Sequence, residues 1–321
     1  MQKQIKIGLV GCGRISAFHL PAIKKQQNVE LAAVADINEN AAKEVARNFG
    51  VPKYYTDAAE LFRNKDIEAV VLCLPHYLHA PLVIEAAGYG KHILVEKPLA
   101  LTLQDADKMI KAADDAKVIL MVGHVQRFFR QYQRTKDLIK SGKLGKPLQV
   151  IEKRLMKVKA PPTPWWKSAE KTGGLLLALN GTHSIDFYLS LFETSAVRVY
   201  CETLRNNPEW EGEDEFSLQM KLANEAIVTM HHSFNALEDL TEIMIIGSEN
   251  TLRFNGIAGD FRLNGKIDMD FAPAFEAQCA EFIAAVREQR EPVTSARNVR
   301  EVVRIFEAAR LSAEKHEVIG L

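Results

Sequence analysis

The residues that most constrain the fold form a glycine-rich turn between an apolar run and a helical pattern. The run Ile5–Val10 is followed by Gly11 and Gly13, and Ser16 takes the third small position of a GxGxxG-like loop. Gly11 permits a tight turn, Gly13 allows close approach to the backbone, and Ser16 is small enough for helix–strand packing. The following helix begins with amide groups that can bind a phosphate. The loop therefore predicts the first strand and helix of a parallel α/β sheet.

Short apolar runs alternate with helical patterns through the first third of the chain. The runs are rich in Val, Ile, Leu and Ala without alternation, which is typical of a parallel sheet covered on both faces. The predicted strands are Ile5–Val10, Glu30–Ala35, Ala69–Leu74, His92–Val95 and Val118–Val122. The predicted helices are Ile15–Gln26, Glu39–Phe49, Ala58–Arg63, Leu78–Tyr89 and Leu103–Asp115. This order predicts a doubly wound Rossmann domain over residues 1–123.

After Gly123 the pattern changes to a helix, Gln126–Ser141, and then to period-two alternation. The alternating strands predict a sheet with one packed face. They are Val197–Leu204, Asp214–Leu222, Glu225–Ser233, Thr241–Gly247 and Asn250–Phe254. Two apolar stripes predict final amphipathic helices. The stripes are Phe275, Cys279, Phe282, Ile283 and Val286, and then Val299, Val302, Val303, Phe306 and Ala309. We expect an α/β domain over residues 124–321 with an open, mainly antiparallel sheet, whose C-terminal helices can pack back on the first domain.

Charge and cysteine content argue against several classes of protein. The 321 residues include 41 basic and 41 acidic side chains, so no net charge favours nucleic acid or an anionic membrane. No apolar run reaches membrane-spanning length, and the N-terminal residues lack the apolar segment of a signal peptide. The four cysteines form no CxxC pair, which predicts reduced thiols rather than a metal or redox site. We expect a cytoplasmic protein with no metal, nucleic acid or membrane partner.

An acidic residue strengthens the interpretation of the glycine loop as a dinucleotide site. Asp36 ends the second predicted strand, 20 residues after Ser16. A carboxylate there accepts hydrogen bonds from adenosine ribose hydroxyls and repels a 2′-phosphate, which favours NAD over NADP. The alternative is a plain strand–turn–helix in which Asp36 only caps the next helix. The expected cofactor residues in this region are Gly11, Gly13, Arg14, Ile15 and Asp36.

The ends of later strands add candidates, because ligands bind at the carboxyl ends of strands in such sheets. Leu74, Pro75 and His79 follow the strand that starts at Ala69 and are expected to line the cofactor. The alternative for His79 is a helix cap or a packing residue. Glu96 and Lys97 end another apolar strand. We expect Glu96 to be structural or to contact a cofactor ribose, and Lys97 to face the nicotinamide.

Three segments, spread across most of the chain, together resemble a known family. They are the glycine loop, residues 87–100 with Glu96-Lys97-Pro98, and Gly173-Gly174 followed by residues 181–186. The family is that of glucose–fructose oxidoreductase, inositol dehydrogenase and MocA. The resemblance implies a Rossmann domain, an α/β domain with an open antiparallel sheet, and NAD(P)-dependent oxidation of sugars, cyclitols and related alcohols. It also implies that Lys97 is the motif lysine and His183 the proton acceptor.

Two positions depart from the family pattern. Many members carry Asp, Asn or Thr four residues before the histidine, where this chain has Leu179. Asn180 is adjacent, but neighbours on a helix point about 100° apart, so it does not simply take the missing role. Leu175 replaces the third glycine of the usual Gly-Gly-Gly run. Either Lys97 and His183 suffice, or the chemistry departs from the usual form.

The oxidation of an alcohol requires a hydride acceptor, a base and a group that stabilises the developing alkoxide. NAD supplies the first. His183 suits the second, since imidazole titrates near neutral pH, and Lys97 can supply the third by hydrogen bonding. We expect both groups to converge on one reacting carbon. The structural alternatives are a helix-start histidine paired with Asp186, and a surface lysine paired with Glu96.

Further residues are expected to contact the substrate. His124 and Arg127 follow the last strand of the first domain, and the alternative for them is a solvated helix start. Asn180 lies close to His183 in sequence. Residues 151–171 contain six Lys or Arg, two Glu, Trp165 and Trp166. Aromatic rings beside cations suit a sugar with an anionic group, whereas the alternative is a solvated strand face.

The expected function is NAD-dependent hydride transfer between nicotinamide and a secondary alcohol or ketone of a sugar, sugar derivative or cyclitol. Two alternatives stay open. One is an NAD-retaining lyase or glycosidase that uses transient oxidation, and the other is a non-catalytic sensor of a sugar or dinucleotide. The free face of the second sheet predicts a homodimer or homotetramer.

Overall fold

The computed structural model describes residues 3–255 and 271–321, which divide into two units. The first comprises residues 3–125 and 271–300, and the second comprises residues 126–255 and 301–321. The strands are β1 Ile5–Val10, β2 Val29–Ala35, β3 Lys53–Tyr55, β4 Ala69–Leu72, β5 His92–Glu96, β6 Leu120–Gly123, β7 Pro147–Lys157, β8 Ala196–Leu204, β9 Glu215–Leu222, β10 Ile227–Ser233, β11 Asn235–Gly247, β12 Thr251–Asn255 and β13 Ile319–Gly320.

Ten helices accompany these strands within the described residues. They are α1 Ser16–Lys24, α2 Glu39–Phe49, α3 Ala58–Arg63, α4 His79–Gly88, α5 Leu103–Ala116, α6 Arg130–Lys140, α7 Ala169–Thr172, α8 Thr182–Phe192, α9 Ala272–Glu288 and α10 Ala296–Lys315. Short 3₁₀ turns occupy His76–Leu78, Val125–Phe128 and Pro164–Lys167, and a π-helical turn occupies Leu177–Gly181. The predicted helix Gln126–Ser141 is thus a 3₁₀ turn followed by α6.

The first unit contains a six-stranded sheet in the order β3-β2-β1-β4-β5-β6, with every pair parallel. The predicted Rossmann sheet is confirmed. The strand β3 was not predicted, because this short edge strand (Lys-Tyr-Tyr) is partly exposed and lacks an apolar run. Since all strands run the same way, the residues after β1, β2, β4 and β5 lie along one edge of the sheet. This edge carries the glycine loop and Lys97.

The helix α9 belongs to the first unit and packs on α1. The rings of Phe18 and Phe275 stack with centroids 5.1 Å apart, and Lys25 pairs with Glu276 at 2.5 Å. The residues of both predicted apolar stripes, in α9 and α10, are buried. The packing of α9 therefore follows from the apolar spacing that predicted it.

The second unit contains a seven-stranded sheet in the order β12-β11-β7-β10-β9-β8-β13. Its pairs are antiparallel except β7–β10, so the predicted mainly antiparallel sheet is confirmed. The interior strand β7 was not predicted. Its face toward α8 carries Glu152 and Arg154, both buried, and these charged residues hide the apolar pattern of a core strand.

All four cysteines are free thiols, three of them buried and Cys12 half-buried. In the part of the chain that the structure describes, no helix is long and apolar enough to cross a membrane. The same residues contain no cluster of three His, Cys, Asp or Glu side chains able to hold a metal ion.

Candidate active site

The two glycines of the loop after β1 have different surroundings. Gly11 has a φ of +94°, and a Cβ atom there would lie 2.2 Å from the carbonyl oxygen of Cys73. Only glycine avoids both problems. A Cβ atom on Gly13 would meet nothing within 4 Å, so this exposed side of the loop is open. Ser16 begins α1 and donates a 2.6 Å hydrogen bond from Oγ to the Gly13 carbonyl, which holds the loop against the helix.

Asp36 ties this loop to the end of β2. Its carboxylate accepts hydrogen bonds from the main-chain amides of Cys12, at 2.7 Å, and Asn38, at 2.8 Å. Asp36 is half-buried, so lone pairs remain for a ligand. Burial, reinforced by the Asp36 charge, raises the pKa of the Cys12 thiol to about 12, so Cys12 stays protonated.

These residues fit a dinucleotide. The open side of Gly13 lies next to the N-terminus of α1, where backbone amides can bind a pyrophosphate, and a carboxylate suited to ribose hydroxyls stands at the end of the adjacent strand. Arg14 is exposed and Ile15 is half-buried within the same loop. Leu74 and Pro75, which follow β4, are half-buried and lie on the same sheet edge.

His79 is fully buried and joins two of the segments on this edge. Its Nδ1 lies 2.7 Å from the carbonyl oxygen of Pro98, and its Nε2 lies 3.0 Å from that of Leu74. Burial lowers the pKa of His79, against the opposing effect of the two carbonyls. Both ring nitrogens are thus engaged within the protein. The side chain positions the segment after Lys97, which corresponds to the packing alternative for this residue.

Glu96 is buried beside Lys97 and is held by His19. The Nε2 atom of His19 lies 2.7 Å from Glu96 Oε1, and the Lys97 amide donates to Glu96 Oε2 at 3.2 Å. Burial alone would raise the pKa of Glu96, but His19 and the Lys97 charge hold it below its usual range. The Glu96 carboxylate therefore fixes the main chain at Lys97. Lys97 itself is half-buried, and its bond to Pro98 is cis.

His124 and Arg127 fall in different units and have different surroundings. His124 follows β6 in the first unit and is buried. In the second unit, Arg127 binds the buried Asp186 carboxylate through two nitrogens, at 2.9 and 2.5 Å. Burial alone would lower the pKa of Arg127, but the charge and hydrogen bonds of Asp186 raise it above its usual value. This pair anchors α8, the helix that carries His183.

At the start of α8, one side chain is partly accessible to solvent while its neighbours are buried. Of residues 181–189, only His183 is not buried. The π-helical turn before α8 places Leu179 in the core, whereas Asn180 is half-buried and donates to the Met156 sulfur at 3.6 Å. Leu179 is buried, whereas Asn180 and His183 are both partly accessible, so Asn180 is the accessible polar residue that precedes His183. The sequence did not predict a π-helical turn. Its wider winding changes the direction in which Leu179 and Asn180 point, relative to the regular α-helix that was assumed.

A buried polar network under α8 was missed by sequence reasoning. Glu152 on β7 accepts hydrogen bonds from Ser184, at 2.7 Å, and Tyr188, at 2.6 Å, and lies 3.1 Å from His232 Nε2. Burial alone would raise the pKa of Glu152, but His232, Arg154 and Tyr188 lower it to about 2. Burial also lowers the pKa of His232, so a neutral ring donates to the carboxylate. The only sequence signal was Ser184 and Tyr188 at helical spacing.

Trp165 and Trp166 are half-buried and adjacent. Trp166 lies nearly parallel to Phe234, with planes 5° apart, and Trp165 meets Trp166 edge-on. Five of the six basic residues in this stretch are exposed, as the solvated-face alternative predicts, and Arg154 alone is buried. Within the second unit, the candidate substrate residues thus lie on the 3₁₀ turn Val125–Phe128, on the 3₁₀ turn Pro164–Lys167 with the tryptophans, on the π-helical turn before α8 and at the start of α8.

Comparison with known proteins identifies both halves of the chain. Residues 5–124 match the family model described as oxidoreductase family, NAD-binding Rossmann fold. Residues 132–253 match the GFO/IDH/MocA C-terminal domain. The two matches together span most of the described chain.

Relatives with named activities are similar over different lengths. A 4-carboxy-2-hydroxymuconate-6-semialdehyde dehydrogenase of Sphingobium sp. (strain NBRC 103272 / SYK-6) is 27% identical over 336 residues, covering 97% of this chain and 99% of the relative. A myo-inositol 2-dehydrogenase of Thermotoga maritima is 37% identical over 143 residues, 44% of this chain and 43% of the relative. The structure of a levoglucosan dehydrogenase in complex with NADH and levoglucosan has the same fold, with a TM-score of 0.90, 23% identity and 99% coverage of both chains. The chain therefore belongs to the GFO/IDH/MocA oxidoreductase family, and it is an NAD-dependent oxidoreductase.

Proposed function

We propose that this enzyme transfers a hydride between NAD and a secondary alcohol or ketone of a sugar, sugar derivative or cyclitol. The observation that carries the proposal is the position of Lys97. It directly follows β5, on the sheet edge that also holds Gly11, Gly13 and Asp36. A lysine beside a dinucleotide-binding loop can polarise a substrate oxygen where hydride leaves or arrives.

The cofactor-binding residues act before any chemistry. In this proposal, Gly13 and the amides that begin α1 hold the pyrophosphate, and Asp36 binds the adenosine ribose hydroxyls. Arg14, Ile15, Leu74 and Pro75 border the cofactor, Lys97 faces its nicotinamide end, and His79 and Glu96 support that end from beneath. When bound, NAD supplies the hydride acceptor. Residues 1–123 are the proposed cofactor domain, and residues 124–321 are the proposed substrate domain.

Two side chains carry the proposed acid–base chemistry. His183 removes the proton of the substrate hydroxyl, and Lys97 donates a hydrogen bond to the oxygen as negative charge develops. His183 is supported by its position as the accessible residue on a helix anchored by Asp186–Arg127. Lys97 is supported by Glu96 and His79, which fix the main chain on either side of it. His124, Arg127, Asn180, Trp165 and Trp166 remain proposed substrate-binding or positioning residues.

The test combines turnover and cofactor binding. NADH absorbance would be followed with a panel of sugars, cyclitols and sugar acids, and NAD binding would be measured by calorimetry. We expect Lys97→Ala and His183→Ala each to lower kcat by about 10²–10⁴-fold, with NAD affinity within threefold of wild type. The matched controls are Lys108→Ala and His231→Ala, which remove exposed residues of the same type. Turnover near wild type in either active-site variant removes that residue from the mechanism.

The Sphingobium, Thermotoga and levoglucosan enzymes are named dehydrogenases. Their names favour a dehydrogenase over an NAD-retaining lyase or a sensor. Net NADH formation from a free polyol is the discriminating measurement, because a cofactor that is reoxidised in each cycle gives none. The Sphingobium relative is named for a substrate that carries a carboxyl group. This name supports extending the proposed substrate class to anionic compounds. The four free cysteines support a reducing, cytoplasmic location.

The open face of the second sheet supports self-association. Opposite the face that packs on α8, it carries Tyr200 and Ile227, each 36% exposed, together with half-buried Ile151 and Met244. A second copy of the chain placed face to face would cover these residues in a dimer or tetramer. Light scattering at micromolar concentration tests this. We expect Ile227→Lys to lower the measured mass, and a monomeric wild type would refute the assignment.

A further inference from the structure

Arg154 is a buried cation with no hydrogen-bond acceptor among residues 3–255 and 271–321. Its residue is 6% exposed, and its guanidinium forms no hydrogen bond or ion pair with the residues that the structure describes. Arginine carries five N–H donors and stays charged at any physiological pH. A buried charge of this kind is unfavourable unless acceptors satisfy it. The side chain therefore points to a ligand that supplies them.

The neighbouring carboxylate does not fill this role. Glu152 lies two residues earlier on the same face of β7 and contributes an attractive charge. Its two oxygens already accept hydrogen bonds from Ser184, Tyr188 and His232. The arrangement balances the charge of Arg154 in part and leaves its N–H donors available.

The strand positions on either side of Arg154 show that it lies beneath the start of α8. Two residues earlier, Glu152 contacts Ser184 at 2.7 Å, and two residues later, Met156 contacts Asn180 at 3.6 Å. Ser184 and Asn180 flank His183 in sequence. Side chains two residues apart on a strand are separated by roughly 7 Å. Arg154 is thus centred under the segment that presents His183.

Contacts across the sheet give the same position independently. Arg154 is the register partner of His232, and the His232 ring lies 4.5 Å from the Phe216 ring. A Cβ atom on Gly181 would lie 3.2 Å from Phe216. Arg154, His232 and Phe216 are lateral neighbours on three adjacent strands. This row of residues therefore lies beneath Gly181, two residues before His183.

We propose that Arg154 binds a carboxylate group of the substrate and so holds the reacting hydroxyl carbon at His183. This inference rests on the proposed dehydrogenase function and names its substrate class, a hydroxy acid or sugar acid. A planar carboxylate matches the guanidinium with two parallel hydrogen bonds. A carboxylate carries one negative charge, so ionised Glu152 repels it less than it repels a phosphate with two.

Binding of matched acid and neutral probes to the NADH-bound enzyme tests the proposal by calorimetry. The pairs are D-gluconate with D-glucitol, D-galacturonate with D-galactose, and L-tartrate with L-threitol. We expect at least one acid to bind tenfold or more tightly than its neutral partner. Arg154→Gln should remove that preference while changing affinity for the neutral compound by less than threefold. Equal binding within every pair in wild type overturns the proposal, as does tighter binding of D-glucose 6-phosphate than of all three acids.

Two further variants separate a specific site from general electrostatics. Arg154→Lys keeps the charge without the planar fork, so we expect an affinity between those of wild type and Arg154→Gln. Lys153→Gln removes a cation one residue away on the exposed face, where Lys153 pairs with Glu242 at 3.4 Å. It should change acid binding by less than twofold, and an effect as large as that of Arg154→Gln overturns the site. If Arg154→Gln does not fold, wild type and Arg154→Lys still decide.

The experiment also distinguishes this proposal from the dehydrogenase proposal. His183→Ala should keep the acid preference and lose NADH formation. Arg154-dependent acid binding in an enzyme that oxidises no compound of the panel supports the site and refutes the activity. NADH formation from a neutral sugar, with acid binding indifferent to Arg154, supports the activity and refutes the site.

Discussion

The main-chain amide of Cys12 donates a 2.7 Å hydrogen bond to the carboxylate of Asp36, which joins the glycine loop after β1 to the end of β2. The second oxygen of Asp36 accepts from the Asn38 amide. One carboxylate therefore positions the loop from within the protein while its half-buried side remains available to a ribose. The geometric role and the charge of this group can be separated by substitution.

Replacement of Asp36 should affect cofactor preference and stability to different extents. Asp36→Asn removes the charge that repels a 2′-phosphate and keeps one of the two acceptor oxygens, so that one of the Cys12 and Asn38 amides loses its acceptor. We expect the ratio of NADP to NAD affinity to rise at least tenfold, with a smaller loss of stability than in Asp36→Ala. Asp36→Ala removes both acceptors and should destabilise the fold by about 1–3 kcal/mol. Titration of both cofactors by NADH and NADPH fluorescence provides the check, and an unchanged ratio in Asp36→Asn argues against ribose binding.

The two loop glycines should respond differently to added side chains. Gly13→Val places atoms in open space, so we expect stability within about 0.5 kcal/mol of wild type but at least tenfold weaker NAD binding. Gly11→Ala meets a main-chain oxygen at 2.2 Å with φ at +94° and should destabilise the protein itself. Urea unfolding and NAD calorimetry on both variants separate the effects. Normal NAD affinity in folded Gly13→Val would contradict a cofactor at this surface.

The Glu152 network should make the second unit sensitive to acid. Because the folded-state pKa of Glu152 is about 2, below its ordinary value of 4.5, its contribution to stability is complete above pH 5. It is lost as the pH falls from there toward 2. In Glu152→Gln, the free energy of unfolding at pH 7 should be lower than in wild type by about 3–5 kcal/mol. It should also fall less steeply as the pH is lowered. Urea unfolding at several pH values tests this, with exposed Glu242→Gln as the control.

Replacement of His19 should change the pKa of Glu96. Burial raises the pKa of a carboxyl group, and the His19 interaction is the largest influence that opposes this at Glu96. In His19→Leu we expect the pKa of Glu96 to rise and the unfolding free energy to fall by about 3–5 kcal/mol. Carbon-13 NMR of the Glu96 carboxyl group measures the first effect. An unchanged Glu96 titration would show that other groups hold its charge.

Local patterns were enough to predict the first sheet and to propose the cofactor residues along its edge. The run Ile5–Val10, the two loop glycines and Asp36 lie close in sequence, so their spacing alone indicates strand, turn and acid. The strand β7 was missed because buried Glu152 and Arg154 interrupt its apolar pattern. The Glu152 charge is acceptable in a core strand because Ser184, Tyr188 and His232, all distant in sequence, surround its carboxylate.

The remaining site depends on tertiary relationships that no short segment reveals. Glu152, Ser184, Tyr188 and His232 meet only when β7, β10 and α8 are assembled. The π-helical turn at Leu177–Gly181 likewise has no simple residue signature, yet it decides that Leu179 faces the core. The tertiary fold, rather than the local sequence, therefore determines which polar residue near His183 is accessible.

The late position of α9 in the chain affects the order of assembly during translation. The ribosome releases α1 early, but the helix that covers it follows β12 in the sequence. Phe18 cannot stack on Phe275, nor Lys25 pair with Glu276, while β7–β12 are being synthesised. A nascent chain thus carries an incomplete nucleotide-binding unit for most of its elongation, and α1 stays open to chaperones until α9 emerges.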